Sequence, residues 1–537
     1  MRDLGADIFF NMPGRAIYAL LNELPGVNGI RHVTALHEST LTNAADGYAR
    51  ATGRPSWVNL YYSTGLMNGL NGMYMAYRDH VPLVVTATQT ESYAVGANNR
   101  AECEDVLSLV RPVTKWASQP TRADRVQEAL VRAWTIASTP PMGPCFVALP
   151  VDFFNEEVPY DPIPQPARGE AVPADISIVT DWLAGAEAPI LVVGSEAVQI
   201  GAMELVEKLA DTLKAPLFPE PHSSFPEGWR TTMFGGLAGY YHDLVENSDL
   251  ILYVNVSTME QHHRKSYTAG RPKRHVQIVT DEIRLNEHIP ADWITFGHPR
   301  PTMQALLRAI STRKLDKTLL EKRGKAVEAR FEKRRRDIAE KTKQVWETTP
   351  MSPARFYAEL RKCVPQEAMI VEYVTTSSPA FRQNFPVPSP RHYIAASGSN
   401  QGWAIAASIG VKAANPDKPV LAVVGDGGFM FNAQALYTAV SHDLPVIAVV
   451  MNNGGWGSMR RSVKQGAPAV IEHGIDLKFG WEIDLEGLGK SLGARAATVE
   501  KPDQIAGVVD DALKCGKTFV INAKVSSIPT EIDEKAR

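Results

Sequence analysis

The chain has 537 residues, of which 44% are hydrophobic and 21% are charged, an ordinary composition for a globular protein of about three domains. A net charge of -3, with no long apolar stretch and no signal-peptide pattern at the start, argues against nucleic-acid or membrane partners. The four cysteines form no CxxC pair, so neither a zinc site nor a disulfide framework is expected, and a cytoplasmic location fits best.

Short apolar strands alternate with helical patterns through the first third of the chain. The predicted strands are Ile8–Phe10, Val33–Leu36, Trp57–Tyr61, Pro82–Ala87 and Pro144–Pro150. The second strand leads into His37 and Glu38, and a helix is predicted from about Ser39 to Arg50. Apolar strands separated by helices are typical of a parallel sheet that is covered on both faces.

A proline-rich stretch, residues 159–166, separates this unit from a second one. Its predicted strands are Ile190–Val193, Leu250–Val254 and Val276–Val279. Residues 313–347 are then dense in Lys, Arg and Glu, and the interleaved charges indicate a solvated helical linker rather than a nucleic-acid patch. The expected fold is α/β, with three consecutive doubly wound domains on parallel sheets, over residues 1–158, 175–312 and 350–537.

Two polar turns follow neighbouring strands of the last domain. Val420–Val424 runs into Gly425-Asp426-Gly427, a helix is predicted from Gly428 to His442, and the next strand ends at Asn452-Asn453. In a parallel sheet both turns lie at the carboxyl edge, where ligands bind. Carboxylate and amide oxygens suit Mg²⁺, and glycine N–H groups can face a phosphate. The pair predicts a Mg²⁺-diphosphate clamp; the alternative is a structural turn and an Asn-Gly loop.

These turns resemble the signature of thiamine diphosphate (ThDP) enzymes. Further segments resemble the pyruvate-decarboxylase/acetolactate-synthase superfamily, and within it the chain is most similar to the benzoylformate decarboxylases. The matching segments are FFNMPGRA, TALHESTLTNAADGYARATGRP, PLVVTATQ, GPCFVALPVD, GSNQGWAIAASIGV, GDGGFMFNAQALYTAV and MNNGGWGSMR. The resemblance covers nearly the whole chain, although the first helix of the usual amino-terminal domain is missing or shortened.

The resemblance implies a pyrimidine-binding domain (1–158), a central domain (175–312) and a diphosphate-binding domain (350–537). It also implies that ThDP lies between the first domain of one subunit and the last domain of another. A dimer would then be the smallest active unit, and a homotetramer is the usual form.

The resemblance also assigns roles to residues. Glu38 would hydrogen-bond the aminopyrimidine ring and make its imino nitrogen a base beside C2; the alternative is a helix-start carboxylate on the macrodipole. Mg²⁺ would be held by Asp426, Asn453 and the Gly455 carbonyl. The remaining cofactor contacts would be Thr375, Thr376, Ser399 through its carbonyl, Gln401, Gly425, Gly427, Gly428 and the Trp456 backbone. For Thr375 and Thr376 a helix N-cap role is also open, and it is compatible with phosphate binding.

Three positions depart from the decarboxylase pattern. Arg15 replaces a serine, and it either binds a substrate carboxylate or points to solvent. Tyr61 replaces a histidine, and it either donates to a developing oxyanion or belongs to the core. Gln401 stands where an aliphatic residue props the cofactor, unless the alignment slips there by a residue or two. His262 or His263 would supply a further active-site histidine.

The sequence therefore predicts a ThDP- and Mg²⁺-dependent lyase that decarboxylates a benzoylformate-like 2-oxo acid through an enamine, with or without carboligation. The alternatives are an acetolactate-synthase-like carboligase, a diketone or acyloin C–C lyase or hydrolase, and a non-catalytic cofactor-binding subunit. No FAD is expected, because the flavin signature of acetolactate synthases has no match in residues 255–263. A nicotinamide dehydrogenase would need a GxGxxG turn after the first strand, which is absent from the sequence.

Overall fold

A computed structural model describes residues 1–99, 102–161, 163, 173, 175–220, 233, 241–257, 267–286, 289–398, 400–467, 469–470, 473, 477–479 and 481–527. These residues form three α/β units in chain order, and each unit is built on one parallel sheet. The predicted fold class is confirmed. No helix within these residues is long and apolar enough to cross a lipid bilayer.

The amino-terminal unit has a six-stranded sheet. Its strands are β1 (Ile8–Asn11), β2 (Arg31–Thr34), β3 (Ser56–Leu60), β4 (Leu83–Gln89), β5 (Trp116–Ser118) and β6 (Cys145–Pro150), in the spatial order β2-β1-β3-β4-β6-β5. Its helices are α1 (Tyr18–Glu23), α2 (Glu38–Thr52), α3 (Tyr62–Arg78), α4 (Val106–Val110) and α5 (Val126–Ala137). The central strands are buried along their whole length because helices cover both faces of the sheet.

The central unit has five strands. They are β7 (Pro189–Val193), β8 (Leu217–Pro219), β9 (Leu250–Val254), β10 (Arg274–Val279) and β11 (Trp293–Phe296), in the order β11-β10-β9-β7-β8. Its helices are α6 (Ser177–Gly185), α7 (Glu196–Gln199), α8 (Met203–Leu213), α9 (His242–Asn247) and α10 (Pro299–Ser311). The charged linker is one long helix, α11 (Lys317–Gln344), as its composition predicts.

The carboxy-terminal unit has six strands. They are β12 (Met369–Tyr373), β13 (Tyr393–Ala395), β14 (Val420–Gly425), β15 (Ile447–Asn452), β16 (Arg495–Val499) and β17 (Phe519–Lys524), in the order β13-β12-β14-β15-β17-β16. Its helices are α12 (Pro353–Cys363), α13 (Ser378–Asn384), α14 (Trp403–Ala414), α15 (Asp426–Phe431), α16 (Ala435–Ser441), α17 (Gly457–Gly466), α18 (Leu485–Ser491) and α19 (Ile505–Lys514).

The first and third sheets share one plan. Numbered within its own unit, each sheet has the strand order 2-1-3-4-6-5. The order reverses beside the first strand, between β1 and β3 in one unit and between β12 and β14 in the other. At such a switch point the loops leave in opposite directions and open a crevice at the carboxyl edge. The fold therefore offers two related crevices.

Helices α2 and α14 join these two units through a close crossing. A Cβ atom at Gly47 would lie 2.1 Å from the Ala407 carbonyl oxygen, and one at Gly410 would lie 1.8 Å from that of Ala44. Only glycine at both positions allows the two backbones to approach this closely. The crossing is part of a core that runs continuously through both units.

Two predicted elements differ from the structure. The second strand ends at Thr34 rather than at Leu36, whose side chain is exposed. The helix predicted from Gly428 to His442 is two helices, α15 and α16, with Asn432 between them. The buried Oδ1 of Asn432 accepts a hydrogen bond from Thr40 Oγ1 across 2.7 Å. This contact between the units coincides with the break in the helix.

Candidate active site

A cleft lies at the switch point of the carboxy-terminal sheet. Strand β12 leads into Thr375 and Thr376, and β14 leads into Gly425 and Asp426. The cleft encloses about 580 Å³, counting its open mouth, and its described lining residues all fall within residues 353–526. All four of these residues line it. Asn453, on the second of the two predicted polar turns, also lines the cleft, and its N–H donates to Asp426 Oδ2.

The Asp426 carboxylate ties the two polar turns together. Its Oδ2 accepts from the backbone N–H groups of Asn453, Gly454 and Gly455, at 3.1, 2.8 and 3.1 Å. Its Oδ1 accepts from the Gly427 N–H at 2.8 Å. Burial raises the pKa of this carboxyl, and the four N–H donors oppose that rise. Their geometry holds Asp426 as an oriented acceptor at the strand end.

Two neutral oxygens accompany this carboxylate. Asn453 Oδ1 accepts from Arg460 Nη2 at 3.2 Å, and the Gly455 carbonyl accepts from the Gly457 N–H at 2.9 Å. Each oxygen keeps a second lone pair. One carboxylate and two neutral oxygens on adjoining turns fit a hard cation that takes its remaining ligands from a phosphate. This donor set therefore fits Mg²⁺ bound to a diphosphate.

Glycine leaves room for a ligand against the start of α15. A Cβ at Gly427 would lie 3.5 Å from the Trp456 ring, and one at Gly428 would lie 3.2 Å from Gln401 Oε1. Trp456 packs edge-on against Phe479, with ring centroids 5.8 Å apart. The Trp456 N–H already donates to the Leu477 carbonyl at 2.9 Å. The Trp456 indole thus lies beside Gly427 at the start of α15.

Glu38 is the first residue of α2, at the carboxyl edge of the amino-terminal sheet. Asn68 Nδ2 donates to its Oε2 at 3.1 Å, and Gly65 lies so close that a Cβ there would be 2.6 Å from Oε1. Glu38 is buried, and it is not among the described residues that line the cleft of its own chain. It therefore has the predicted helix-start position, in the other crevice.

Arg15 and Tyr61 lie at the switch point of the amino-terminal sheet. Tyr61 follows β3 and is only partly buried, so it is not a core residue of the strand. Its ring packs against Gly14, where a Cβ would lie 2.2 Å from Cε2, and edge-on against Tyr62. Burial raises the pKa of Tyr62, and the Arg15 charge opposes this. Arg15 itself is exposed.

Some predicted residues lie outside the described part of the chain: Ser399, His262 and His263. The structure also adds residues that sequence reasoning missed: Arg460 against Asn453, Phe479 against Gly427, and Asn68 against Glu38. Gln89 is a further one, because its buried Nε2 has no hydrogen-bond partner in the described structure. Only its position two residues after the predicted strand Pro82–Ala87 could have indicated it.

Three family models match the chain, one for each unit. They are the thiamine pyrophosphate enzyme amino-terminal TPP binding domain over residues 1–109, the central domain over residues 176–306 and the carboxy-terminal TPP binding domain over residues 374–523. The matches fall on the three sheets in the predicted order.

Full-length relatives agree with this. Benzoylformate decarboxylase of Pseudomonas aeruginosa is 26% identical over 98% of both chains. The acetolactate synthase large subunit of Haemophilus influenzae is 25% identical over 99% of this chain and 93% of its own. Among solved structures, a thiamine diphosphate-dependent 4-hydroxybenzoylformate decarboxylase of Rhodococcus jostii superposes with a TM-score of 0.82. It is 24% identical, and the match covers 98% of this chain and 97% of that one.

Proposed function

The chain belongs to the thiamine pyrophosphate enzyme family, and from that premise we propose that it is a ThDP- and Mg²⁺-dependent lyase that decarboxylates a 2-oxo acid without oxidation. One observation carries the proposal. The Asp426 carboxylate is fixed by four backbone N–H groups at a sheet switch point, beside the oxygens of Asn453 and Gly455. Such an arrangement suits a cation bound to a diphosphate, and we call the group of Asp426, Asn453 and Gly455 the cation seat.

The proposed cofactor contacts surround that seat. Asp426, Asn453 and Gly455 would hold Mg²⁺, while Thr375, Thr376 and the glycines 425, 427 and 428 would face the diphosphate. Gln401, the Trp456 indole and the Ser399 carbonyl would contact the rings. When bound, ThDP supplies a carbon nucleophile and an electron sink for decarboxylation beside a carbonyl. The residues of the chain would bind and orient the cofactor and the substrate, and would transfer protons.

We assign Glu38 the proton-handling role, in the site of a neighbouring copy. Its absence from the cleft of its own chain supports this assignment, because a second copy can bring it there. Exposed apolar side chains in both units also favour pairing, namely Met67, Tyr74 and Tyr77 on α3 and Met430, Phe431, Tyr437 and Val440 on α15 and α16. The proposed unit is a homodimer, assembled further into a homotetramer.

The proposed substrate is a benzoylformate-like 2-oxo acid. The similarity to benzoylformate decarboxylase over nearly all of both chains supports it. On this chain Arg15 would attract the substrate carboxylate, and the Tyr61 hydroxyl would donate to the carbonyl oxygen as charge develops there. Tyr61 is partly exposed at the same switch point as Arg15, which suits these roles. His262 stays a proposed further catalytic residue.

A carboligase is the second candidate. Similarity to an acetolactate synthase large subunit is almost equal, at 25% identity over 99% of this chain. An enzyme of this type would use the same cofactor seat but would join the activated fragment to a second carbonyl compound. A lyase or hydrolase of diketones or acyloins would share the seat as well. Product analysis separates these reactions.

The test has two stages. Calorimetry would measure ThDP binding with Mg²⁺ and again after chelation with EDTA; binding that needs Mg²⁺ is expected. Proton NMR would then follow benzoylformate, pyruvate and a branched 2-oxo acid. Aldehyde from benzoylformate is expected, and an acyloin or acetolactate-type product would favour the carboligase. Absence of ThDP binding would refute the proposal.

The free state of all four cysteines supports a cytoplasmic location, which is likewise a proposal.

A further inference from the structure

A buried charge cluster lies behind the cleft, in the amino-terminal unit. The Arg50 guanidinium sits between two carboxylates, with Nε 2.9 Å from Asp46 Oδ2 and Nη2 2.8 Å from Asp79 Oδ2. The three side chains are only 3%, 0% and 6% exposed. Burying three charges is costly, and an apolar trio of similar volume is often at least as stable. The cluster therefore calls for an explanation other than stability alone.

Every member of the cluster reaches across to the carboxy-terminal unit. Asp79 Oδ2 accepts from the Ser397 N–H at 3.0 Å, and its Oδ1 accepts from the Ser397 hydroxyl. Arg50 Nη1 donates to the Ala395 carbonyl at 3.1 Å. Asp46 Oδ2 accepts from the Trp403 indole at 2.6 Å. All of these contacts fall on one stretch of chain, residues 395–403.

The charge cluster contacts this stretch of chain near both of its ends. Ala395 and Ser397 are held near its start, and Trp403, whose ring lies 5.2 Å from the Arg50 guanidinium carbon, is held at its end. In between, Asn400 Nδ2 donates to Asn43 Oδ1 at 3.2 Å. The amino-terminal unit thus fixes a loop that belongs to the carboxy-terminal unit. We name residues 396–398 and 400–402 the cofactor loop.

The cofactor loop carries Gln401 into the cleft. Gln401 lines the cleft, and its Oε1 lies 3.2 Å from where a Cβ of Gly428 would be, at the start of α15. Gly402, with φ of +81°, turns the chain immediately afterwards. A Cβ at Gly402 would lie 2.9 Å from Asn432 Cβ and Phe431 Cβ. A shift of the loop would therefore move Gln401 relative to the cation seat.

We propose that Asp79 and Arg50 are positioning residues for ThDP, because they hold the cofactor loop so that Gln401 faces the start of α15. The inference rests on the proposed function, since it assumes that ThDP occupies the cleft. Neither residue lines the cleft, so each acts through the loop. The cation seat formed by Asp426 and Asn453 lies on other turns and does not depend on the loop for its hydrogen bonds.

Because the cation seat and the cofactor loop are separate, the affinities for two ligands distinguish a positioning role from simple destabilisation. ThDP would contact both the cation seat and the loop, whereas inorganic diphosphate would need only the cation seat. A positioning role predicts that variants of the cluster lose affinity for ThDP and keep affinity for diphosphate. General destabilisation of the fold would lower the affinity for both ligands by similar factors.

The experiment is calorimetry of the full-length protein with ThDP and, separately, with inorganic diphosphate, both at saturating Mg²⁺. Ser397→Ala removes one hydroxyl donor and leaves Arg50 paired, and ThDP affinity is expected to fall about fivefold. Asp79→Asn removes a charge that holds both Arg50 and Ser397, and a fall of about 30-fold is expected. Diphosphate affinity is expected to stay within about twofold of wild type in both variants.

Tyr48→Phe is the matched control. Tyr48 lies on the same helix as Asp46 and Arg50, and its hydroxyl donates to Asp7 at 2.6 Å without touching the loop. Its affinity for both ligands should equal that of wild type. Equal losses for ThDP and diphosphate in Ser397→Ala, or no loss for either, would overturn the inference even if Asp79→Asn fails to fold. A wild-type protein that binds neither ligand would instead refute the proposed function.

Discussion

Asn68 donates its side-chain amide to Oε2 of Glu38 across 3.1 Å, and so orients the carboxylate to which we assign proton handling. Glu38→Gln keeps the size and the hydrogen-bonding oxygen but removes the acid. We expect turnover to fall by at least about 100-fold, the usual range for loss of a general acid–base group, while ThDP affinity changes little. Steady-state kinetics and calorimetry measure the two quantities. Glu23→Gln, at an exposed site of the same unit, is the control, and unchanged turnover in Glu38→Gln would end the catalytic assignment.

Gly65→Ala tests the position of the same carboxylate. The added methyl group would lie 2.6 Å from Glu38 Oε1, so the carboxylate has to move. Alanine is also the better helix former within α3, so the fold should not suffer. We expect about a tenfold loss of turnover with an unchanged melting temperature. Gly507→Ala on α19, where no atom lies within 4 Å of the added Cβ, is the control and should leave turnover unchanged.

Gly47→Ala tests the close helix crossing. Its Cβ would lie 2.1 Å from the Ala407 carbonyl oxygen, and backbone cannot move aside as a side chain can. We expect the free energy of unfolding to fall by about 3 kcal/mol, at the upper end for overpacked cores. Gly507→Ala should instead gain a few tenths of a kcal/mol or more from helix propensity. Denaturant unfolding of both variants gives the comparison, and a Gly47→Ala protein as stable as Gly507→Ala would contradict the crossing.

Glu207 on α8 predicts a pH dependence of stability. Burial, and then the charges of Asp211 and Glu204, raise the pKa of this carboxyl from 4.5 to about 7. Because the folded state binds the proton more tightly, the associated stability is fully present below pH 4.5 and is lost as the pH rises through 7. Glu207→Gln should therefore be more stable than wild type at pH 8, by about 1 kcal/mol after discounting for solvent screening.

At pH 4.5 the Glu207→Gln protein and the wild type should be nearly equal in stability, because the wild-type carboxyl is then largely protonated. Denaturant unfolding at the two pH values measures the difference. Glu332→Gln, at an exposed site of the linker helix α11, is the control. A stabilisation by Glu207→Gln that is the same at both pH values would contradict the assignment, since it would not depend on ionisation.

Much of the fold follows from the sequence because its central strands are continuous apolar runs. Strand β9 has the predicted bounds, Leu250–Val254. Strands β12, β13, β16 and β17 of the last unit lie outside the predicted set. So do the edge strands β5, β8 and β11. They are three or four residues long, and β5 is only partly buried, so their sequences carry little strand signal. The break in the helix at Asn432 coincides with a hydrogen bond from Thr40, 392 residues away, which local patterns do not reveal.

In the candidate site, likewise, some contacts follow from the sequence and others do not. Neighbouring parallel strands bring Asp426 and Asn453 together, so their proximity was predictable from the order of strands and turns. Phe479 was not predictable, because it reaches the site only where the chain folds back and Gly455 pairs with Lys478. Arg460 lies on α17, directly after the turn, and its contact with Asn453 depends on the direction in which that helix leaves the turn. The roles of Arg15, Tyr61 and Gln401 stay predictions.

The described residues that line the cleft all fall within residues 353–526 and do not include Glu38, and under the proposed pairing of chains this has a genetic consequence. If each site combines Glu38 of one copy with the cleft of the other, a chain that carries one inactivating substitution contributes a defective part to only one of the two sites. Mixed pairs of a Glu38→Gln chain and an Asn453→Ala chain would then contain one doubly damaged site and one intact site. Random reassociation of equal amounts should restore about a quarter of the wild-type sites from two inactive proteins. Two defective alleles of this gene would therefore complement each other.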